Sequence, residues 1–191
     1  MNFLAHVHLS GNNEELKIGN FIGDFVKGKD IELYSPAIQK GIVLHRMIDH
    51  FTDQHDIVGR SKKKLYDRYH KYAAVLIDVF YDHFLAKNWE NYSGISLDSF
   101  THEFYTVLIK HKAALPDRVQ QFLPHLMQTN WLGQYHRLEG IEHALQRLAR
   151  RARFNSGIEH ALVDLKKNYQ SLEEDFMDYY PKLLVYVEEL L

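Results

Sequence analysis

Several carboxylates and histidines lie inside apolar helical runs of this sequence, where ionisable groups are unusual. Asp24 interrupts the run FIGDFV, and Asp78 interrupts the run VLIDVF. His45 and Asp49 lie in the apolar stretch GIVLHRMID. Burying an ionised carboxylate without a partner costs several kcal/mol. These side chains therefore need a compensating positive charge, which either basic side chains or a bound metal ion can supply.

The spacing of these residues favours a shared site. Residues four positions apart lie on one face of a helix, which applies to His45 with Asp49 and to Asp78 with Asp82. The N-terminal segment AHVHL adds two histidines. The candidate groups come from four separate stretches of the chain and comprise His6, His8, Asp24, His45, Asp49, Asp78, Asp82 and His83.

Two interpretations of these groups stay open. In one, the buried carboxylates pair with arginines such as Arg46 or Arg60 or with helix N-termini, and the histidines are ordinary core or surface residues. In the other, several helices bring their polar groups to one divalent metal ion. The chain has no cysteine, so histidine and carboxylate are the only strong ligand types available. A mixed set of this kind suits Mn, Fe or Zn better than Ca or Mg.

A second feature of the sequence is basic. We call residues 60–71 the basic run, because only Asp67 opposes its cationic residues, which are Arg60, Lys62, Lys63, Lys64, Arg68 and Lys71. A further cluster comprises Arg147, Arg150, Arg151 and Arg153. Such clusters are either solvated helix faces or docking surfaces for an acidic partner or a phosphate. The net charge of −2 and the pI near 6.7 argue against nucleic acid as the partner.

Helices must position all of these groups, because apolar residues recur at helical spacing along the whole chain and strict alternation is scarce. We predict an all-α, single-domain helical bundle over residues 1–191, a length that fits one domain. No apolar run reaches the ~18 residues of a membrane span, and no targeting segment is visible. We therefore expect a cytoplasmic protein without a membrane partner.

Individual helices are predicted from the spacing of apolar residues and from glycine and proline. The first long helix covers Asn13 to Val26. A later helix begins at Arg60 or Tyr69 and reaches Trp89, and its middle, AAVLIDVFYDHFLA, is apolar nearly all round. Such a segment is typical of a buried central helix. The last helix extends to the C-terminal residue, with a kink at Pro181.

Four blocks of this sequence, taken in order, resemble one known family. They are MNFLAHVHLSGNNEELKIGNFIGDFVKG, GIVLHRMIDHFTDQH, IDVFYDHFLAKNW and, near the C-terminus, FMDYYP. Together they resemble the acyl carrier protein phosphodiesterase family, also called acyl carrier protein hydrolase. The resemblance is dense from Met1 to Trp89 and extends to Pro181. It implies an all-helical fold that is distantly similar to the HD-type phosphohydrolases.

The resemblance also implies a reaction and a cofactor. The reaction removes 4′-phosphopantetheine from holo acyl carrier protein, and the cofactor is a divalent metal, with Mn preferred and Fe, Mg or Zn as alternatives. We expect His6 to be the general acid at the leaving serine oxygen, since the pKa of histidine lies near working pH. The expected metal ligands are Asp24, His45, Asp49, Asp78 and Asp82, and the expected catalytic residues are His6, Asp24 and His83.

Acyl carrier proteins are acidic, so the resemblance makes the basic run the expected docking surface. The expected substrate-binding residues are Lys27, Arg46, Arg60, Lys62, Lys63 and Lys64. Two other functions stay open. One is an HD-like hydrolase that acts on a small nucleotide or phosphate ester, for which the basic run would be incidental. The other is a non-enzymatic helical module that binds an acidic partner.

Overall fold

The computed structural model describes residues 1–152 and 156–191. Over these residues the chain forms α-helices and short 3₁₀ turns but no β-strand, so the predicted all-α fold is confirmed. The likeness to HD-type phosphohydrolases stays a prediction. In the same two ranges, no helix combines the length and the apolarity that crossing a membrane requires. The described helices are α1 (Phe3–His8), α2 (Glu14–Ile22), α3 (Pro36–Gln54), α4 (Asp56–Tyr69), α5 (Ala73–Lys87), α6 (Leu97–Lys110), α7 (Asp117–Gln128), α8 (Leu138–Arg151), α9 (Leu162–Lys167) and α10 (Tyr169–Glu188).

Helix α5 runs through one continuous apolar core. Its side chains are buried on nearly all sides, and Leu76, Phe80 and Tyr81 have no exposed surface. Aromatic residues of α10 pack against it, as where the ring of Phe176 meets Tyr81 edge-on with centroids 5.6 Å apart. The apolar run around Asp78 therefore forms the buried central helix that its composition predicts.

Helices α2 and α3 cross in direct backbone contact. A Cβ atom at Gly19 would lie 2.1 Å from the carbonyl oxygen of Ile38, and one at Gly41 would lie 2.4 Å from the carbonyl oxygen of Leu16. Even alanine at either position would force the two helices apart. The crossing places the C-terminal half of α2 against the middle of α3, where two of the predicted metal ligands lie.

Helix α2 ends earlier than predicted. It stops at Ile22 and continues as a 3₁₀ turn over Gly23–Phe25. Glycine is required at the start of this turn, because a Cβ atom at Gly23 would lie 2.3 Å from the ring of His45. The turn places Asp24 outside the helix, with 69% of its side chain exposed beside His45.

Two other predicted helices are interrupted. The segment that we expected to run up to Trp89 breaks between α4 and α5 at His70, whose φ of +46° does not fit a right-handed helix. The final segment breaks at Asn168, between α9 and α10. Helix α10 itself continues through Pro181. These breaks give the chain shorter helices, which wrap around α5.

Candidate metal centre and its cavity

His6, His45 and Asp49 form a cluster that can hold a metal ion. One ligand atom from each residue lies within 4.8 Å of the other two. The Nε2 atom of His6 is 3.1 Å from Oδ1 of Asp49, and the Nε2 atom of His45 is 3.2 Å from Oδ2 of the same carboxylate. The two imidazole rings stack with their centroids 3.9 Å apart. The cluster joins α1 to α3, two helices that are far apart in sequence terms.

Asn20 on α2 orients both histidines. Its side-chain oxygen is 2.8 Å from Nδ1 of His6, and its backbone carbonyl oxygen is 2.7 Å from Nδ1 of His45. Each Nδ1 must donate a proton to such an oxygen, which leaves each neutral ring with its lone pair on Nε2. The amide nitrogen of Asn20 donates to the carbonyl of His6 and to Ser10, so Asn20 is itself held in place. In this neutral form both imidazoles present a lone pair to Asp49, so a proton or a metal ion is needed between the rings and the carboxylate.

The two histidines respond to this environment in opposite ways. Burial and the charge of neighbouring His45 lower the pKa of His6 to about 4. Burial also opposes charge on His45, but its hydrogen bonds to Asp24 and Asp49 outweigh burial and raise its pKa to about 9. Burial raises the pKa of Asp49, but the contacts with the two histidines and with the ammonium group of Met1 outweigh burial and hold it below its usual range. The carboxylates thus favour a positive charge at this point, which a proton or a metal ion can supply.

Two further carboxylates adjoin the cluster. Oδ1 of Asp24 is 3.3 Å from Nε2 of His45. The ammonium group of Met1, whose side chain is buried, is 3.5 Å from Oδ1 of Asp49 and 3.0 Å from Oδ1 of Asp78. The structure therefore brings together the four residues that we expected to supply most of the metal shell.

Asp82 and His83, which were also predicted to act at the site, have other partners. Both oxygens of Asp82 accept backbone N–H groups of α1, from Leu4 at 2.8 Å and from Ala5 at 3.2 Å. Burial raises the pKa of Asp82 to about 7, although these hydrogen bonds oppose the rise. His83 contacts the carbonyl of Tyr135 through Nδ1 and the hydroxyl of Tyr169 through Nε2, each at 2.8 Å.

Asp82 therefore acts as an acceptor for amides at the start of α1, which have no partner within that helix. His83 joins α5 to two distant segments. Neither residue lines the cavity beside the cluster.

The cluster borders a cavity of about 340 Å³, which we call the site cavity. Asp24, Asp49 and Asp78 all line it. Apolar side chains, among them Phe3 and Phe25, form much of the remaining wall. The site cavity thus joins an acidic surface to an apolar one, which suits a cation together with a partly apolar organic ligand.

The predicted substrate-binding residues lie elsewhere, and none of them lines the site cavity. Arg46 is exposed, and its Nη2 donates to the carbonyl of Val26 at 3.3 Å. Members of the basic run form ion pairs within the molecule: Arg60 and Lys64 with Asp175, Lys62 with Asp53, and Arg68 with Asp164. Lys27 and Lys63 are exposed.

The sequence analysis missed one buried residue and one arginine at the site, and it named a second arginine only as part of a basic cluster. Asn20 has no exposed surface, and an asparagine inside the run IGNFIGDF was the available signal. Arg118 and Arg151 both line the site cavity. Arg151 belongs to the second basic cluster, whose last member, Arg153, lies outside the described residues.

Comparisons with known proteins point to one family. The family model described as Acyl carrier protein phosphodiesterase matches residues 1–183. Curated relatives of that name from Serratia proteamaculans and Yersinia enterocolitica are 31% and 33% identical over 185 residues, covering 96% of this chain and 96% of each relative. A relative of the same name from Photorhabdus laumondii is 31% identical and is covered over 93% of its length. No solved structure matches the chain. The chain belongs to the acyl carrier protein phosphodiesterase family.

Proposed function

We propose that this chain is a metal-dependent phosphodiesterase that removes 4′-phosphopantetheine from holo acyl carrier protein. The bond cleaved joins the phosphate to the serine oxygen of the carrier, and the product is the apo protein with a free serine. The observation that carries the proposal is the cluster of His6, His45 and Asp49, whose carboxylate lines a cavity together with Asp24 and Asp78. The substrate is inferred from the relatives, which are named acyl carrier protein phosphodiesterases.

The residues present fit a divalent metal. Two imidazole nitrogens and a carboxylate oxygen are a donor set that Mn²⁺, Fe²⁺ and Zn²⁺ accept, and the resemblance of the sequence favours Mn²⁺. His6, His45 and Asp49 would hold the ion, with Asp24 and Asp78 as further ligands or as groups that hold its water molecules. When bound, such an ion neutralises a phosphate oxygen and lowers the pKa of a coordinated water toward neutrality.

We assign His6 to metal binding, although the sequence predicted a general acid. Its Nδ1 proton is committed to Asn20, so only Nε2 faces the site. Nε2 cannot bind a metal and carry the proton that a general acid delivers. Burial lowers the pKa of His6 to about 4, so the ring is neutral near pH 7, as a ligand must be. The carboxylates raise the pKa of His45 to about 9, so metal binding would displace a proton from that ring.

The protein itself contributes orientation and the exclusion of water. Asn20 fixes the tautomers of both histidines, which leaves no rearrangement of the imidazoles to be made when substrate arrives. Phe3, Phe25 and Val75 line the site cavity beside the carboxylates. This apolar wall can pack against the alkyl parts of the phosphopantetheine arm and limit the access of water to the reacting phosphate.

The experiment that tests this function measures the mass of the carrier protein. Holo acyl carrier protein is incubated with the full chain and Mn²⁺, and intact-protein mass spectrometry follows the carrier. We expect a mass loss equal to the phosphopantetheine group, no loss in EDTA, and recovery when Mn²⁺ is restored. A carrier that keeps its full mass with Mn²⁺, Fe²⁺, Mg²⁺ and Zn²⁺ in turn would contradict the proposal.

A further inference from the structure

Two arginines occupy the wall of the site cavity. Arg118 lies in the first turn of α7, and Arg151 lies in the last turn of α8. Both line the same cavity as Asp24, Asp49 and Asp78. One space of about 340 Å³ therefore has carboxylates on one part of its wall and guanidinium groups on another.

The two guanidinium groups line one cavity, so two like charges share it. Burial and the charge of Arg118 lower the pKa of Arg151. In residues 1–152 and 156–191, neither side chain forms an ion pair with a carboxylate, whereas Arg60 pairs with Asp175. Two like charges held together at a cavity favour the binding of an anion, because an anion removes their repulsion and gains hydrogen bonds from both.

The position of the pair identifies the kind of anion. An anion at this place also lies beside three carboxylates, which repel it unless a cation stands between them. A phosphate group meets both requirements, since one oxygen can face a metal ion while others accept hydrogen bonds. The planar guanidinium group donates two parallel hydrogen bonds to phosphate oxygens, which a lysine cannot do.

We propose that Arg118 and Arg151 bind the phosphate of the substrate and hold its phosphorus atom over the carboxylate cluster. The proposal rests on the proposed function, because that function makes the ligand a phosphodiester. It replaces Arg46, which we expected from the sequence to bind the substrate and which instead contacts Val26. The bound ester would be oriented with its serine–phosphate bond toward Asp49 and its pantetheine arm along the apolar wall.

The test compares Arg118→Ala and Arg151→Ala with Arg150→Ala in the full chain. Arg150 is the matched control, because it is an exposed neighbour on α8 that lines a different cavity. Two quantities are measured for each Mn²⁺-loaded protein: kcat and KM for holo acyl carrier protein, and the Kd for inorganic phosphate by calorimetry. Thermal unfolding shows whether each variant is folded.

We expect each substitution at 118 or 151 to lower kcat/KM and to weaken phosphate binding by about ten- to a hundred-fold, the range for hydrogen bonds to charged groups. The Arg150→Ala protein should keep both values within about twofold, because Arg150 lines a different cavity. Arg151→Lys should fall between wild type and Arg151→Ala, because it keeps the charge and loses the paired donors.

The phosphate measurement separates this proposal from the proposed function. Unchanged phosphate affinity in folded Arg118→Ala and Arg151→Ala proteins would overturn the proposal, even if the wild-type chain hydrolyses the carrier. Conversely, a wild-type chain that binds phosphate through these arginines but leaves the carrier intact would contradict the proposed function and support the phosphate site. A lower melting temperature with normal phosphate binding would mean a structural role only and would also overturn the proposal.

Discussion

Two charged clusters in this molecule are built from similar residues and are balanced in opposite ways. The first lies between α4 and α10, and we call it the Asp175 cluster. The buried carboxylate of Asp175 accepts hydrogen bonds from Arg60 and Lys64, each at 2.7 Å, and from Ser61 at 2.6 Å. The positive charge opposite this carboxylate comes from the protein itself.

The second cluster is the one at the site cavity. Asp24, Asp49 and Asp78 border one space, and the basic groups that contact them are two histidines and the ammonium group of Met1. The arginines of this cavity form no ion pair with these carboxylates. Opposite charges share the cavity and remain available to a ligand.

The comparison shows that the density of charge in a sequence does not by itself indicate a binding surface. The basic run contains six lysines and arginines, yet several of them neutralise carboxylates of the same molecule. At the site cavity the fold brings carboxylates and arginines together without pairing them with each other. Ionisable groups with strongly perturbed pKa values, such as those of this cluster, occur at functional sites more often than elsewhere.

The contrast between the two clusters is tested most directly at Asp49. Asp49→Asn keeps the shape of the side chain but removes the charge that both histidines contact, so we expect metal binding to be lost. Substituting a residue that only orients a metal ligand typically lowers metal affinity or activity by 10–100-fold. Loss of a ligand itself should therefore lower kcat/KM by more than about a hundred-fold. Metal content after dialysis and kcat/KM are the measurements. Asp175→Asn is the control, and an Asp49→Asn protein with a full complement of metal and full activity would refute the assignment.

A smaller effect is expected at Asn20. Asn20→Ala removes the partner of Nδ1 of His6, whereas His45 keeps its bond to the backbone carbonyl. Metal affinity should fall by about 10–100-fold, the usual cost of losing a group that orients a ligand. A competition titration with a fluorescent chelator measures it. Ser10→Ala removes another contact of Asn20 and should leave the affinity nearly unchanged, and equal losses in both variants would argue against the orienting role.

The Asp175 cluster should affect stability and not catalysis. Asp175→Asn leaves Arg60 and Lys64 without their carboxylate, and we expect a loss of about 2 kcal/mol in the free energy of unfolding. This is less than the ~3–5 kcal/mol of a fully buried pair, because the Arg60 side chain is 57% exposed. Urea unfolding measures the change, and kcat/KM for the carrier should stay within about twofold.

The difference in the free energy of unfolding between wild type and Asp175→Asn should also depend on pH. Burial raises the pKa of Asp175, but hydrogen bonds from Lys64, Ser61 and Arg60 outweigh burial and lower it. A lowered pKa in the folded state gives stability that is present above the unfolded pKa of about 4 and is lost as pH falls through the folded value. The difference between wild type and Asp175→Asn should therefore be constant near neutral pH and shrink below about pH 4. A difference that grows in acid would contradict this account.

The smallest effect is expected on the exposed part of the basic run. Lys63→Glu should raise KM for an acidic carrier by at most about fivefold, the equivalent of the ~1 kcal/mol of an exposed pair. The rise should disappear at high salt, where exposed charges are screened. Steady-state kinetics at two ionic strengths measure it. An increase larger than that of Arg118→Ala would place the docking surface on α4.

Local periodicity was enough to predict part of the site. His45 and Asp49 are one turn apart on a helix, and Asp24 interrupts an apolar run, so each could be recognised from its immediate neighbours. The buried central helix was predictable for the same reason. The break at His70 was not, because the positive φ of that residue has no signal in the apolar spacing.

The remaining parts of the site depend on which segments meet in three dimensions. Asp78 and Asp82 have the same spacing as His45 and Asp49. Asp82 nevertheless accepts hydrogen bonds from the first backbone amides of α1, because the start of that helix packs against it. Asn20 orients the imidazole rings of His6 and His45, which lie on two other helices. Arg118 and Arg151 come from two helices whose approach the sequence alone does not reveal.

The crossing of Gly19 and Gly41 has a consequence for how this enzyme family can change. No side chain lies between α2 and α3 at that point, so the separation of their axes is set by main-chain atoms and not by the volume of any residue. Exchanging apolar residues elsewhere in the interior should leave the spacing of Asn20 and His45 almost untouched. One added methyl group at either glycine would alter that spacing. Relatives should therefore differ in sequence around this contact and keep glycine at the two positions that form it.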